Sequence, residues 1–161
     1  MTHSRPQIEP AALQQVVRRY PQLGAFAGVV RNGMSVNTAA AVFDADAGRF
    51  FVKRYDPRVT EPHAMLGEHS VILQLREAGF PTPMIHANNR GDTVTWLAEQ
   101  PYAIFALAHG EDRYADDPVF APYRDREDAR SAGAMLAKFH LALARGPLPP
   151  AKSFKGLTAQ Y

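Results

Sequence analysis

Apolar residues early in the chain fall at helical spacing. Leu13, Val16, Val17 and Tyr20 follow Pro10 at intervals of three and four, and a proline suits the first turn of a helix. Pro21 and Gly24 end that pattern. From Phe26 to Tyr55 the chain changes to short runs rich in apolar and β-branched residues, Phe26–Val30, Val36–Phe43 and Arg49–Tyr55, which predict a three-strand meander. The last two runs are joined by Asp44-Ala45-Asp46-Ala47-Gly48, where Gly48 can take positive φ and the carboxylates can bond nearby amides. Met65, Val71, Ile72 and Leu75 then share one face of a predicted helix over 62–78, closed by Gly79, Pro81 and Pro83. Two further strands are predicted at Thr93–Glu99 and Tyr102–Ala108, a hairpin divided by Gln100-Pro101. The acidic, aromatic stretch Gly110–Asp128 has no sustained period. A last helix over 125–144 carries Ala132, Met135, Leu136, Phe139, His140 and Leu143 at core spacing, and Gly146-Pro147 stops it.

Composition narrows the class. The chain has 161 residues, enough for one ordinary domain, and its 46% hydrophobic and 21% charged residues are those of a folded globular protein. Without cysteine there is no disulfide and no thiolate metal site, which suits the cytoplasm. No stretch approaches the roughly 20 apolar residues of a membrane span, and the polar start has no signal-like core, so no membrane association is expected. The pI is near 9.0, but the net charge is only +2 and the cations are scattered. Lys138, Arg145, Lys152 and Lys155 form an acid-free basic end that reads as a solvated surface, so nucleic acid is not the expected partner.

Helix, three strands, helix, two strands is the order of a five-stranded antiparallel sheet with a helix packed on it. Such a lobe can hold a nucleotide if a tight first turn offers backbone amides, a third-strand lysine offers charge and a helix carboxylate holds the lysine. The candidates occur in that order: Arg31-Asn32-Gly33-Met34-Ser35-Val36-Asn37-Thr38, then Phe51-Val52-Lys53-Arg54-Tyr55, then Glu68 fifteen residues after Lys53. Strand alternation places Lys53 on the face of Phe51 and Tyr55. Taken singly, Asn32-Gly33 equally describes a plain hairpin turn, and Lys53 and Glu68 describe exposed charges of an unrelated fold. The histidines repeat no metal-ligand spacing; His63 and His69 are six residues apart, and His140 on an apolar helix face reads as a hydrogen-bonded core residue.

Together with Leu66-Gly67-Glu68-His69, Gly79-Phe80-Pro81-Thr82-Pro83 and the run Ala132–His140, these segments resemble the aminoglycoside phosphotransferase and type II homoserine kinase family over about residues 10–145. The resemblance implies an α+β, protein-kinase-like N-lobe over 1–109, followed over 110–161 by the first helical part of an incomplete C-lobe. It also implies that Lys53 contacts the α and β phosphates of ATP and pairs with Glu68. Gly33, Ser35, Asn37 and Thr38 would line the phosphate site, and the backbone of Phe105, Ala106, Leu107 and Ala108 would form the adenine hinge.

The complete enzyme implied is an ATP- and Mg²⁺-dependent phosphotransferase with a small-molecule acceptor. The family's catalytic His-Gly-Asp motif is absent, however, and no aspartate follows Asp128. The expectation is a fragment or a naturally truncated relative, inactive alone, with a last helix whose uncovered apolar side chains favour self-association. The alternatives are a non-catalytic kinase-like module that binds nucleotide or a partner, and an unrelated α+β adaptor. Should the chain turn over, Asp112, Asp116 and Asp117 are the carboxylates to examine.

Overall fold

Alternating apolar positions in the strands leave both faces of the sheet in need of cover, and a helix packs against each. The computed structural model describes residues 7–33, 38–58, 60–111, 113, 114, 117, 121–144 and 146. Its elements are α1 (Pro10–Val17), β1 (Phe26–Gly33), β2 (Thr38–Ala45), β3 (Gly48–Tyr55), α2 (Pro62–Glu77), β4 (Ile85–His86), β5 (Thr95–Leu97), β6 (Gln100–Ala106) and α3 (Arg126–Leu143). One antiparallel sheet runs in the order β1, β2, β3, β6, β4, with β5 also paired to β6. The expected five lanes are therefore present, the outermost shared end to end by β4 and β5. The two-residue β4, which pairs Ile85 with Phe105 and His86 with Ile104, lies just beyond Pro81 and Pro83, where no strand-length run announces it.

On one face Leu13, Val16 and Val17 of α1 pack with Phe43, Val52 and Ile104. Gly24 is required here: at φ 75° its added Cβ would lie 2.5 Å from the Asp46 Cβ, whose carboxylate accepts the Ala25 N–H at 2.8 Å. On the opposite face Met65 of α2 joins Tyr55, Ile85, Ala103 and Phe105. The β2–β3 turn follows expectation, with Gly48 at φ 132°. The β5–β6 turn does not. Leu97 pairs with Gln100, so the turn is Ala98-Glu99, both left-handed at φ 45° and 62°, and Pro101 stands inside β6, one residue before that strand begins to pair with β3.

Asp125 caps α3 by accepting the Asp128 N–H at 2.8 Å. No residue of α3 is buried; Met135, Leu136 and Leu141 are exposed, as expected of an uncovered helix. His140 is also exposed and rests edge-on against Phe139, so its reading as a core residue is corrected: its face has no covering layer among the described residues. None of the described helices is long and apolar enough to cross a membrane.

Candidate functional site

Register brings the site together. Gly33, Ala40, Lys53 and Ala103 lie opposite one another across β1, β2, β3 and β6, forming one row. Opposed residues share a face, so Thr38, paired with Tyr55, and Val42, paired with Phe51, flank Lys53 on its own side. The small Ala40 and Ala103 on either side leave the lysine stem room on this face. Its Nζ lies 5.5 Å from the Phe105 ring centroid and 5.8 Å from that of Tyr55, each a favourable position for a cation. At the end of β1 a Cβ added to Gly33 would come 3.2 Å from the Ala40 methyl, so glycine lets the strands approach there.

Glu68 projects from α2 toward this row, and its Oε1 accepts from Lys53 Nζ at 2.5 Å. The lysine and carboxylate side chains are 30% and 37% exposed, so the pair is open enough on one side for a ligand to reach. Glu68 Oε2 lies 3.3 Å from the Tyr55 hydroxyl, which is also 3.2 Å from His69 Nε2. Burial, then the charge of and hydrogen bond to Glu68, push the Tyr55 phenol far above its ordinary pKa. Burial is also the main cause that lowers the pKa of His69, with Glu68 opposing and Lys53 reinforcing it.

Of the expected hinge, Phe105 and Ala106 belong to β6, and the Ala106 N–H donates to the Met84 carbonyl at 2.8 Å. Only Leu107 and Ala108 continue beyond the sheet. Ser35 and Asn37 lie outside the described residues, as do Asp112 and Asp116. Asp117 is bound to Arg124, which holds its carboxyl below the usual range, and Asp128 accepts from Arg113 and Tyr114. These described carboxylates are tied to structural partners. Among the described residues no group of three or more histidine or acidic side chains could hold a metal ion.

The expected ion pair between Lys53 and Glu68 is present, while the contacts of Tyr55 with Glu68, of Tyr55 with His69 and of His69 with Thr93 are not anticipated from the sequence. A signal existed for His69: it stands four residues after Met65, on the buried side of α2.

An antiparallel sheet with a helix against each face, whose third strand carries a lysine held by a helix carboxylate, is the arrangement of a kinase-like fold. The sequence matches the model of the phosphotransferase enzyme family over residues 30–160, and the chain belongs to that family. Among solved structures it is similar to a microcompartment-associated aminopropanol kinase, with 15% identity and a TM-score of 0.66 over 93% of this chain and 45% of that one. A spectinomycin phosphotransferase in complex with ADP and spectinomycin gives 13% and 0.58 over 84% and 38%. An amicoumacin kinase in complex with AMP-PNP and Ca²⁺ gives 16% and 0.50 over 62% and 31%. These likenesses show the fold, and the chain spans less than half the length of each neighbour. A search of curated proteins finds no match.

Proposed function

We propose that this chain is the adenine-nucleotide-holding part of an ATP-dependent kinase of small molecules, with residues 1–109 as the nucleotide lobe and 110–161 as the start of a second lobe. The observation that carries this reading is the Lys53–Glu68 ion pair, set on the sheet face that α2 covers and in one row with Gly33 at the end of β1. An ammonium has three N–H donors, and Glu68 engages only one of them as an acceptor, so the group can also face phosphate oxygens. Lys53 would thereby orient the α and β phosphates and offset their charge, while Gly33, Ser35, Asn37 and Thr38 would border them and the 105–108 backbone would meet the adenine. The solved neighbours with ADP and AMP-PNP support a nucleotide in this fold. The acceptor class in this reading is a hydroxylated metabolite or an aminoglycoside, and the compartment is the cytoplasm.

The same chain has no His-Gly-Asp motif, and the described carboxylates group into no metal site. Those observations favour nucleotide holding without transfer by these residues alone, and they also favour a second reading as a non-catalytic nucleotide- or partner-binding module. Calorimetric titration with ATP, paired with an ADP-release assay across amino alcohols, amino acids and aminoglycosides, tests the proposal. Weak ATP binding without turnover is expected. Turnover that disappears in Lys53→Ala would overturn the no-transfer part, and an absence of ATP binding would overturn the nucleotide part. Sedimentation of the same sample tests self-association through Met135, Leu136 and Leu141, and a monomer at high concentration would exclude it.

A further inference from the structure

Four side chains from three parts of the fold meet behind the Lys53 ammonium. Thr93 Oγ1 lies 2.7 Å from His69 Nδ1, His69 Nε2 lies 3.2 Å from the Tyr55 hydroxyl, and that hydroxyl lies 3.3 Å from Glu68 Oε2. Tyr55 and His69 are only 2% and 1% exposed, so water cannot readily substitute for a missing partner.

The proton count fixes the direction. An ionised carboxylate only accepts, so the single phenol proton of Tyr55 must point to Glu68 if that contact is a hydrogen bond. The phenol oxygen is then the acceptor for His69, which needs a proton on Nε2. A neutral imidazole protonated at Nε2 has a lone pair on Nδ1, and the Thr93 hydroxyl donates to it. Burial favours the neutral ring. The reverse order would turn the Tyr55 oxygen lone pairs toward the Glu68 carboxylate.

Thr93 itself is on an anchored loop. Asn88 Oδ1 accepts the N–H groups of Arg90 and Asp92 at 2.9 and 3.0 Å, Asn88 Nδ2 donates to Thr95 Oγ1 at 3.0 Å, and the Asn89 N–H donates to the Arg19 carbonyl at 2.7 Å. The relay therefore ties β3, α2 and the loop before β5 to one carboxylate.

We infer that Thr93, His69 and Tyr55 are positioning residues, a one-way hydrogen-bond relay that holds Glu68, and through it Lys53, in the orientation that receives nucleotide phosphates. The part concerning phosphates rests on the nucleotide reading above; the relay itself does not.

Two measurements on the full 161-residue chain separate these. Long-range ¹H–¹⁵N correlation of His69 reads its tautomer: Nε2–H is expected, and Nδ1–H or a protonated ring at neutral pH would overturn the relay whether or not any nucleotide binds. Titrations with ADP and with adenosine then read the positioning role in Tyr55→Phe and Thr93→Val. Thr93→Val removes one hydrogen bond of the relay and should weaken ADP by about 3- to 10-fold, Tyr55→Phe removes two and should weaken it at least as much, and both should leave adenosine unchanged, because only the phosphate contact is disturbed. Thr93→Ser should restore ADP binding. Equal weakening of adenosine and ADP, or no weakening of ADP, would overturn the positioning role. If the parent chain binds adenosine and ADP equally weakly, the nucleotide reading fails, and the tautomer still decides the relay.

Discussion

Lys53→Ala should weaken ADP binding by about 10- to 100-fold while leaving the chain folded. A hydrogen bond to a charged group is worth about 1.5–3 kcal/mol, and each factor of ten in affinity corresponds to about 1.4 kcal/mol. The side chain is part-exposed and its neighbours Ala40 and Ala103 are small, so shortening it opens no large cavity. The Glu68 carboxylate left behind would repel the phosphates that the ammonium is proposed to receive, which places the effect toward the upper end. Glu68→Gln should be milder, since the amide oxygen can still accept from Lys53. Calorimetry on the two variants checks the ranking, and an ADP affinity unchanged in Lys53→Ala would contradict it.

Phe43→Ala should destabilise the fold by about 3–5 kcal/mol, the range for removing a fully buried aromatic side chain. Phe43 has no exposure, and its ring centroid lies 6.0 Å from that of Phe26 and 5.6 Å from that of Phe50, in the core beneath α1. Neighbouring strands on both sides of β2 fix the walls of the resulting cavity, which limits collapse. In urea the midpoint should fall sharply with little change in slope. Val30→Ala, at a site 44% exposed on β1, should stay within about 0.5 kcal/mol of the parent. Similar losses at the two positions would contradict the assignment of Phe43 to the core.

Much of this architecture is written in local pattern. Alternation through Phe50, Phe51, Val52, Lys53 and Tyr55 is enough to set the face of Lys53, because opposite pleats see different cores and a slip of one residue would bury the lysine under α1. Helix α2 is legible from its apolar spacing and Pro62, and Glu68 follows from the position of the helix. What escapes is decided by contacts between distant segments. Ala98 and Glu99 carry none of the glycine or asparagine preference of their left-handed turn, and the flanking strand pairing imposes it on them. Two residues suffice for β4 because β6 offers an open edge. Tyr55, His69 and Thr93 are each unremarkable in sequence, and only the packing of α2 on β3 and the 87–94 loop places their polar atoms in a line. His140 misleads for the opposite reason: helical spacing marks an apolar face without saying whether anything covers it.

The central claim, that Lys53 is the phosphate-facing group, can be tested with an acyl-phosphate derivative of ATP, which transfers its acyl group to a lysine amine lying near the bound phosphates. The chain has only four lysines, Lys53, Lys138, Lys152 and Lys155, so peptide mass spectrometry can resolve every outcome. The proposed site predicts acylation at Lys53, suppressed by excess ADP and unaffected by excess adenosine-free phosphate buffer at the same ionic strength. Labelling confined to Lys138, Lys152 or Lys155, or labelling of Lys53 that ADP does not suppress, would contradict it.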